Sequence, residues 1–295
     1  MNKQCRELEI LRFATGLTIA YAVVGVIIAI LCDSITLMLD GLYGVADVVV
    51  SLISIFVVRK IHEPPNSKYH YGYAKYEPFM TAVDGILIIT ICAGTILSSI
   101  QDFVNPEPMA NVSLAVIYSF ASFFICCGFG LFVKANARKC SSELLCAEAD
   151  LWMIEGWISL GVFVAFAISD FMTKTYWRHY SNLIDPLLSL LFSVALLARP
   201  LSLLKDSFLD LVDANPGKEI ETEVRHLAGA YEEKFRLPGI DFVKLRKAGR
   251  RLFIALEFRV RPDMQQSEIQ AVMDGLRGDL CRYKPEADVF VSFRF

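Results

Sequence analysis

The stretch TLMLDGLYGVADVVVSLISIFVV, residues 36–58, is an apolar run that contains two aspartates, Asp40 and Asp47. A membrane-spanning helix needs about 20 mainly apolar residues, because the hydrocarbon core of a bilayer is about 30 Å thick. A carboxylate near the centre of such a helix costs roughly 2.5–3.5 kcal/mol on insertion scales, so it normally faces a cavity or a partner. The stretch therefore predicts a transmembrane helix in which the acids serve a function.

The rest of the chain repeats this apolar pattern. It has 295 residues, of which 55% are hydrophobic, and its mean hydropathy is +0.45. No signal peptide is evident, since the first run is too long and no cleavage site of small residues follows it. The pattern predicts an α-helical membrane protein with six transmembrane helices, at Ile10–Leu31, Thr36–Val58, Phe79–Ile100, Leu114–Val133, Leu145–Ile168 and Leu183–Leu203.

The distribution of basic residues predicts the orientation of these spans. Lys and Arg cluster before span one and in the loops after spans two and four, which would all lie on one side. Because cytoplasmic loops carry an excess of Lys and Arg, both termini are expected in the cytoplasm. We expect a multi-pass protein of the cell inner (plasma) membrane, with the lipid bilayer as its surroundings.

Charge and cysteine content exclude other classes. The net charge of −3 and the pI of about 5.9 do not indicate nucleic-acid binding. The eight cysteines form no Cys-x-x-Cys pair, so we interpret them as isolated thiols.

Composition changes after Leu204, which predicts two domains: a six-helix transmembrane domain at 1–204 and a cytoplasmic α+β domain at 205–295. In the second, Lys218–Lys234 and Ser267–Arg282 have helical periodicity, and three segments alternate as strands, two of them around a Lys-Ala-Gly-Arg turn. The order α-β-β-α-β predicts a small ferredoxin-like sandwich. A core this small makes association with a second copy, as a homodimer, an expectation.

The acids of span two are expected on one helix face. Asp40 and Asp47 are seven residues apart, which is nearly two helical turns, and Tyr43 lies between them on that face. Asp40 could instead act locally near the helix end, whereas nothing in its own segment could pair with Asp47.

Span five carries a similar set. Glu148 and Glu155 are also seven residues apart, and Asp150 lies to one side. Glu148 and Asp150 could also be solvated near the cytoplasmic surface. Asp185, at the start of span six, is interpreted as a helix cap or a solvated residue. If the helices of spans two and five face each other, their carboxylates repel unless they share protons or bind a cation. Oxygen ligands suit hard ions such as Mn²⁺, Mg²⁺ or Fe²⁺.

A family resemblance rests on two stretches, ADVVVSLISIFVVRK and YGYAKYEP. The second contains Gly72, Lys75 and Glu77, a Gly-x-x-Lys-x-Glu loop that leads into span three. Together with six spans and the α+β tail, these stretches resemble the cation diffusion facilitator family over essentially the whole chain. The resemblance implies a homodimer that exports a divalent metal from the cytoplasm while protons enter. It also implies no enzymatic activity and no cofactor besides the transported ion.

The ligand pattern departs from that family. Members carry two ligands four residues apart in spans two and five, and the resemblance aligns Asp47 and Glu155 with the second ligand of each pair. The first positions fall on Tyr43 and Leu151. We therefore expect a displaced site, completed by Asp40, Tyr43 and either Asp150 or Glu148. Because no histidine is present in this set, Zn²⁺ is less favoured than in the family.

Other elements known from the family are altered as well. Tyr69 and Tyr73 fall where a second metal site in the loop after span two would have histidines. We expect no zinc cluster in the tail, in which His226 is the one histidine. Lys75 and Asp213 fall where some members form a charge pair.

Three alternatives to the export of a divalent metal remain to be weighed. An intramembrane aspartyl protease is not favoured, since its Tyr-Asp and Gly-x-Gly-Asp motifs do not occur. A relative that does not transport, acting as a metal sensor or interaction module, stays open. So does a transporter of the same fold for another cation such as Na⁺.

Overall fold

The computed structural model describes residues 3–61, 63–106, 108–140, 143–176, 178–249 and 251–294. Within its helices, the side chains of residues 3–12, 54–55, 58, 138–140, 143–148 and 178–179 are not described.

The described chain contains six helices that are long and apolar enough to cross a membrane. Their number confirms the prediction, and an α-helix suits this environment because it satisfies its own backbone hydrogen bonds in lipid. A short helix, α6 (Arg178–Ser181), precedes the last of them. The long helices are α1 (Lys3–Cys32), α2 (Ile35–Ile61), α3 (Tyr76–Val104), α4 (Val112–Cys140), α5 (Glu143–Thr173) and α7 (Ile184–Leu211).

The chain forms two compact units, and the first consists of Met1–Leu52 and Ile86–Pro200. In this unit α4 packs along α5 and also contacts α1. One buried cluster forms around Phe129, Val133 and Trp152. Another forms around Cys32 and Phe166. Many large apolar side chains point outward, as expected for helices that face hydrocarbon.

The second unit consists of Ile53–Gly85 and Leu201–Phe295. Its C-terminal part has the predicted order α-β-β-α-β, which confirms the fold class. The middle strand pairs antiparallel with the first and parallel with the third. The elements are α8 (Lys218–Phe235), β1 (Gly239–Ala248), β2 (Arg251–Arg259), α9 (Gln266–Tyr283) and β3 (Ala287–Arg294). The predicted domain boundary at residue 204 stays a prediction.

The core of this α+β fold follows from the alternation in β2. Ile254, Leu256 and Phe258 are fully buried on one face of the sheet, where they pack with Leu276 and Leu280 of α9. Every second residue of β2 and the apolar face of α9 thus pack together in one hydrophobic layer.

Candidate metal site

The first turn of α2 is fixed by an acid from another helix. Asp185, in the first turn of α7, is only 4% exposed. Its carboxylate accepts hydrogen bonds from the Ser34 hydroxyl at 2.8 Å, the Ile35 amide at 2.8 Å and the Thr36 amide at 3.2 Å. The Ser34 hydroxyl oxygen also accepts from the Leu37 amide at 3.3 Å. The free amides at the start of α2 are thereby satisfied by side chains, as a helix end in an apolar environment requires.

A close crossing of α1 and α2 then positions Asp40. A Cβ atom added at Gly41 would lie 2.8 Å from the backbone nitrogen of Val26, so only glycine permits this approach. Asp40, the neighbour of Gly41, is half-buried. Its Oδ2 atom accepts a hydrogen bond of 3.4 Å from the hydroxyl of Tyr21 on α1.

Glu155 of α5 lies within electrostatic reach of both aspartates of α2. The charges of Asp40 and Asp47 both act on its carboxyl group, and all three residues belong to the first unit. Glu155 is half-buried, whereas Asp47 is exposed. Both aspartates of α2 therefore repel the carboxylate of Glu155, and a cation or a proton would relieve that repulsion.

The other predicted ligands have different surroundings. Tyr43 is half-buried on α2, and Leu151 of α5 is 52% exposed. Asp150 forms an exposed salt bridge of 2.9 Å with Lys134 of α4. The side chain of Glu148 lies outside the described part of the structure.

Sequence reasoning missed polar groups on α1 and α4. The negative charge of Asp40 acts electrostatically on Tyr21 of α1 and on Tyr118 and Cys126 of α4. A tyrosine in the middle of an apolar span signals such a site, because a buried hydroxyl normally finds a hydrogen-bond partner.

Among the side chains that the structure describes, no three His, Cys, Asp or Glu residues are close enough together to hold a metal ion. His70 and His226 are exposed, and His62 lies outside the described residues. The described candidates for cation ligands are thus the carboxylates of Asp40, Asp47 and Glu155, which would have to draw closer together around an ion.

A charge cluster in the second unit includes the pair expected from the family resemblance. Lys75 Nζ lies 3.0 Å from Asp213 Oδ2 and donates to the carbonyl oxygen of Leu211 at 3.1 Å. Arg246 of β1 lies 3.2 Å from the other oxygen of Asp213. Partial burial works against ionisation of Asp213. The hydrogen bond from Lys75 and the charge of Arg246 outweigh burial and hold the pKa of this carboxyl below its ordinary value.

Comparison with known proteins agrees with the predicted fold class. Residues 11–212 match the cation efflux transmembrane domain. The chain therefore belongs to the cation efflux family, and the predicted membership of the cation diffusion facilitators is confirmed.

Individual relatives are distant. The zinc transporter ZitB of Pectobacterium atrosepticum is 26% identical over 202 residues, which cover 68% of this chain and 60% of that protein. The uncharacterized transporter sll1263 of Synechocystis sp. is 23% identical over 244 residues, or 82% of this chain and 72% of that protein. The cation-efflux pump FieF of Shewanella oneidensis is 20% identical over 234 residues, or 79% of this chain and 75% of that protein.

Proposed function

We propose that this protein is a membrane transporter that exports a divalent metal cation of the Mn, Fe or Zn class from the cytoplasm in exchange for protons. The observation that carries the proposal is a set of three carboxylates on two membrane-spanning helices, in which the charges of Asp40 and Asp47 both act on Glu155. Membership of the cation efflux family supports it.

Asp47 and Glu155 are the proposed primary ligands, and Asp40 supplies a further oxygen. An all-oxygen set favours Mn²⁺ or Fe²⁺, while Zn²⁺ stays in the proposed class because one relative is named a zinc transporter. Tyr43 and Glu148 stay predicted contributors. Asp150 would have to exchange its partner Lys134 for the ion.

Proton exchange follows from the same repulsion. Carboxylates held together in a low-dielectric site take up protons when no cation is present, and a bound metal displaces those protons. In the proposed cycle both termini lie in the cytoplasm, the site opens alternately to each side of the membrane, and two copies form a homodimer.

Flux through proteoliposomes tests the proposal. With Mn²⁺ on one side and a pH gradient, the wild type should transport the ion, and reversing the gradient should reverse the direction of net flux. Glu155→Gln and Asp47→Asn should lower the rate by more than about 100-fold, beyond the 10–100-fold effect typical of residues that only support a ligand.

Asp170→Asn is the matched control. Asp170 lies near the other end of α5, where it pairs with Lys174, so its loss should leave flux unchanged. Wild-type flux in folded Glu155→Gln and Asp47→Asn would contradict the proposal.

A metal sensor that does not transport is the second candidate. It is favoured by Leu151, which stands where the family resemblance places a ligand of span five. Calorimetry with a panel of cations separates the cases: binding of Mn²⁺ without flux indicates the sensor, and heat with Na⁺ alone indicates a transporter of another cation.

A further inference from the structure

Tyr21 joins α1 to the acids of α2 and α5. Its hydroxyl donates to Asp40 Oδ2 at 3.4 Å, and the charge of Glu155 also acts on it. A hydrogen bond between helices inside a membrane replaces contacts that water cannot supply. Among the described residues, the hydrogen bond from Tyr21 to Asp40 therefore connects α1 to the candidate site.

Aromatic packing holds the ring of Tyr21 in place. The ring of Trp152, on α5, meets it edge-on, with centroids 6.4 Å apart and planes at 69°. The ring of Tyr118, on α4, stacks on it at 6.3 Å and 26°. Tyr21 also packs against the buried cluster around Phe129. Because neighbours from two helices restrict the ring, the position of its hydroxyl is set before any ion arrives.

We propose that Tyr21 is a positioning residue for cation binding, whose hydroxyl holds one oxygen of Asp40 and leaves the other oriented toward the ion. This inference rests on the proposed function, in which Asp40 is a ligand. A carboxylate has two oxygens, so it can accept from Tyr21 through one and bind a cation through the other. Partners that orient a ligand in this way typically change metal affinity 10–100-fold when removed.

A purely packing role for Tyr21 makes a different prediction. Tyr21→Phe keeps the ring, and with it the contacts to Trp152 and Tyr118, but removes the hydroxyl. If only packing matters, this variant should bind metal like the wild type. If the hydroxyl orients Asp40, the full-length protein in detergent, titrated calorimetrically with Mn²⁺, should show a Kd 10–100-fold higher at a similar unfolding temperature.

Tyr176→Phe is the matched control. It removes a hydroxyl from a tyrosine that follows the end of α5 and is 97% exposed. Its Kd for Mn²⁺ should stay within about threefold of the wild-type value, well below the effect expected at Tyr21. An equal loss in both variants would show a general effect of hydroxyl removal and would overturn the inference.

A double-mutant cycle tests whether Tyr21 affects Mn²⁺ binding through Asp40. If Tyr21 acts through Asp40, then Tyr21→Phe should add no further loss in an Asp40→Asn background. Additive losses, or a Tyr21→Phe variant with wild-type affinity, overturn the inference.

Glu155→Gln separates the two proposals. When the wild type binds Mn²⁺ and Glu155→Gln does not, the proposed cation site is supported, and the Tyr21 inference is decided by the Tyr21→Phe variant, its control and the double-mutant cycle. When the wild type does not bind Mn²⁺ or Zn²⁺, the proposed function fails, and the inference fails with it.

Discussion

Two acids in the spans, Asp185 and Asp40, differ in how completely their carboxylates are bonded. Asp185 accepts hydrogen bonds from Ser34 and from two backbone amides at the start of α2. Such a carboxylate is stabilised by the positive end of the helix dipole as well as by its donors. Among the described residues, the hydrogen-bond donor to Asp40 is Tyr21, over a longer distance of 3.4 Å. The bonding of Asp185 fits a structural role, and the weaker bonding of Asp40 is consistent with its proposed role as a cation ligand.

Asp185→Ala should destabilise the protein. It leaves buried donors of Ser34, Ile35 and Thr36 without their acceptor, and each unsatisfied buried group costs about 1–3 kcal/mol. Thermal unfolding in detergent should show a clearly lower midpoint than that of the wild type.

Asp206→Ala provides the comparison on the same helix. Asp206 is exposed on α7, and surface substitutions usually stay within about 0.5 kcal/mol. Equal midpoints for Asp185→Ala and Asp206→Ala would show that the cap of α2 is not needed for stability.

At the scale of helices, glycines set the distance between α1 and α2. Gly41 faces the backbone of Val26, and Gly44 faces Ala22, where an added Cβ would lie 3.1 Å from the alanine Cβ. Small residues let helix backbones approach closely in membranes. This approach brings the Tyr21 hydroxyl within hydrogen-bonding distance of Asp40.

Gly41→Ala should separate the two helices. Its methyl group would meet backbone atoms, which cannot move aside as a flexible side chain can, and such overpacking typically costs about 1–3 kcal/mol. We expect a lower unfolding midpoint together with weaker Mn²⁺ binding, measured by calorimetry.

Gly94→Ala on α3 is the control for helix propensity. Nothing lies within 4 Å of a Cβ atom added there, so this change should be neutral or stabilising by up to about 1 kcal/mol. A Gly41→Ala variant that matches it in stability and affinity would show that the crossing tolerates a wider spacing.

At the scale of the whole molecule, the second unit joins segments that are far apart in sequence. Arg246 of β1 lies over the ring of Tyr71 at 5.0 Å and over the ring of Phe253 at 4.5 Å, and it pairs with Asp213. Lys75, before α3, reaches the same carboxylate. Asp213 thus connects the loop before α3, the end of α7 and the sheet within one compact unit.

The contribution of Asp213 should depend on pH. Its pKa is held below the ordinary value, so its stabilising effect is present above the unfolded-state pKa and is lost as pH falls through the lowered pKa. At pH 7 Asp213→Asn should be less stable than the wild type by up to about 1 kcal/mol, because the pairs are solvent-exposed. Unfolding midpoints measured from pH 7 down to pH 3 should converge.

Asp206→Asn serves as the reference for the loss of an exposed carboxylate. A gap between wild type and Asp213→Asn that stays constant or widens as pH falls would contradict the assignment of the charge cluster.

Much of the architecture could be predicted from apolar runs and periodicity. The helix predicted at Lys218–Lys234 is observed at Lys218–Phe235, and the one predicted at Ser267–Arg282 is observed at Gln266–Tyr283. Helix ends were less predictable. The helix α7 continues to Leu211, past the predicted end at Leu203, because the apolar run ends several residues before the helix does.

For the candidate site, the sequence indicated which acids lie in the membrane, but not what surrounds them. The exposed pairing of Asp150 with Lys134, the approach of Tyr21 to Asp40 and the capping of α2 by Asp185 all join different helices. Such contacts depend on the rotation and spacing of helices, which a periodic pattern within one helix does not specify.

The sequence by itself determined the class of this protein, six spans with acids and an α+β tail, because length and hydrophobicity are local properties of a segment. Only the tertiary structure decided how completely each acid is hydrogen-bonded, which is the basis for proposing Asp40 and not Asp185 as a cation ligand. That distinction depends on hydrogen-bond donors from other helices: Ser34 and the amides of α2 satisfy Asp185, and the one described donor to Asp40 is Tyr21.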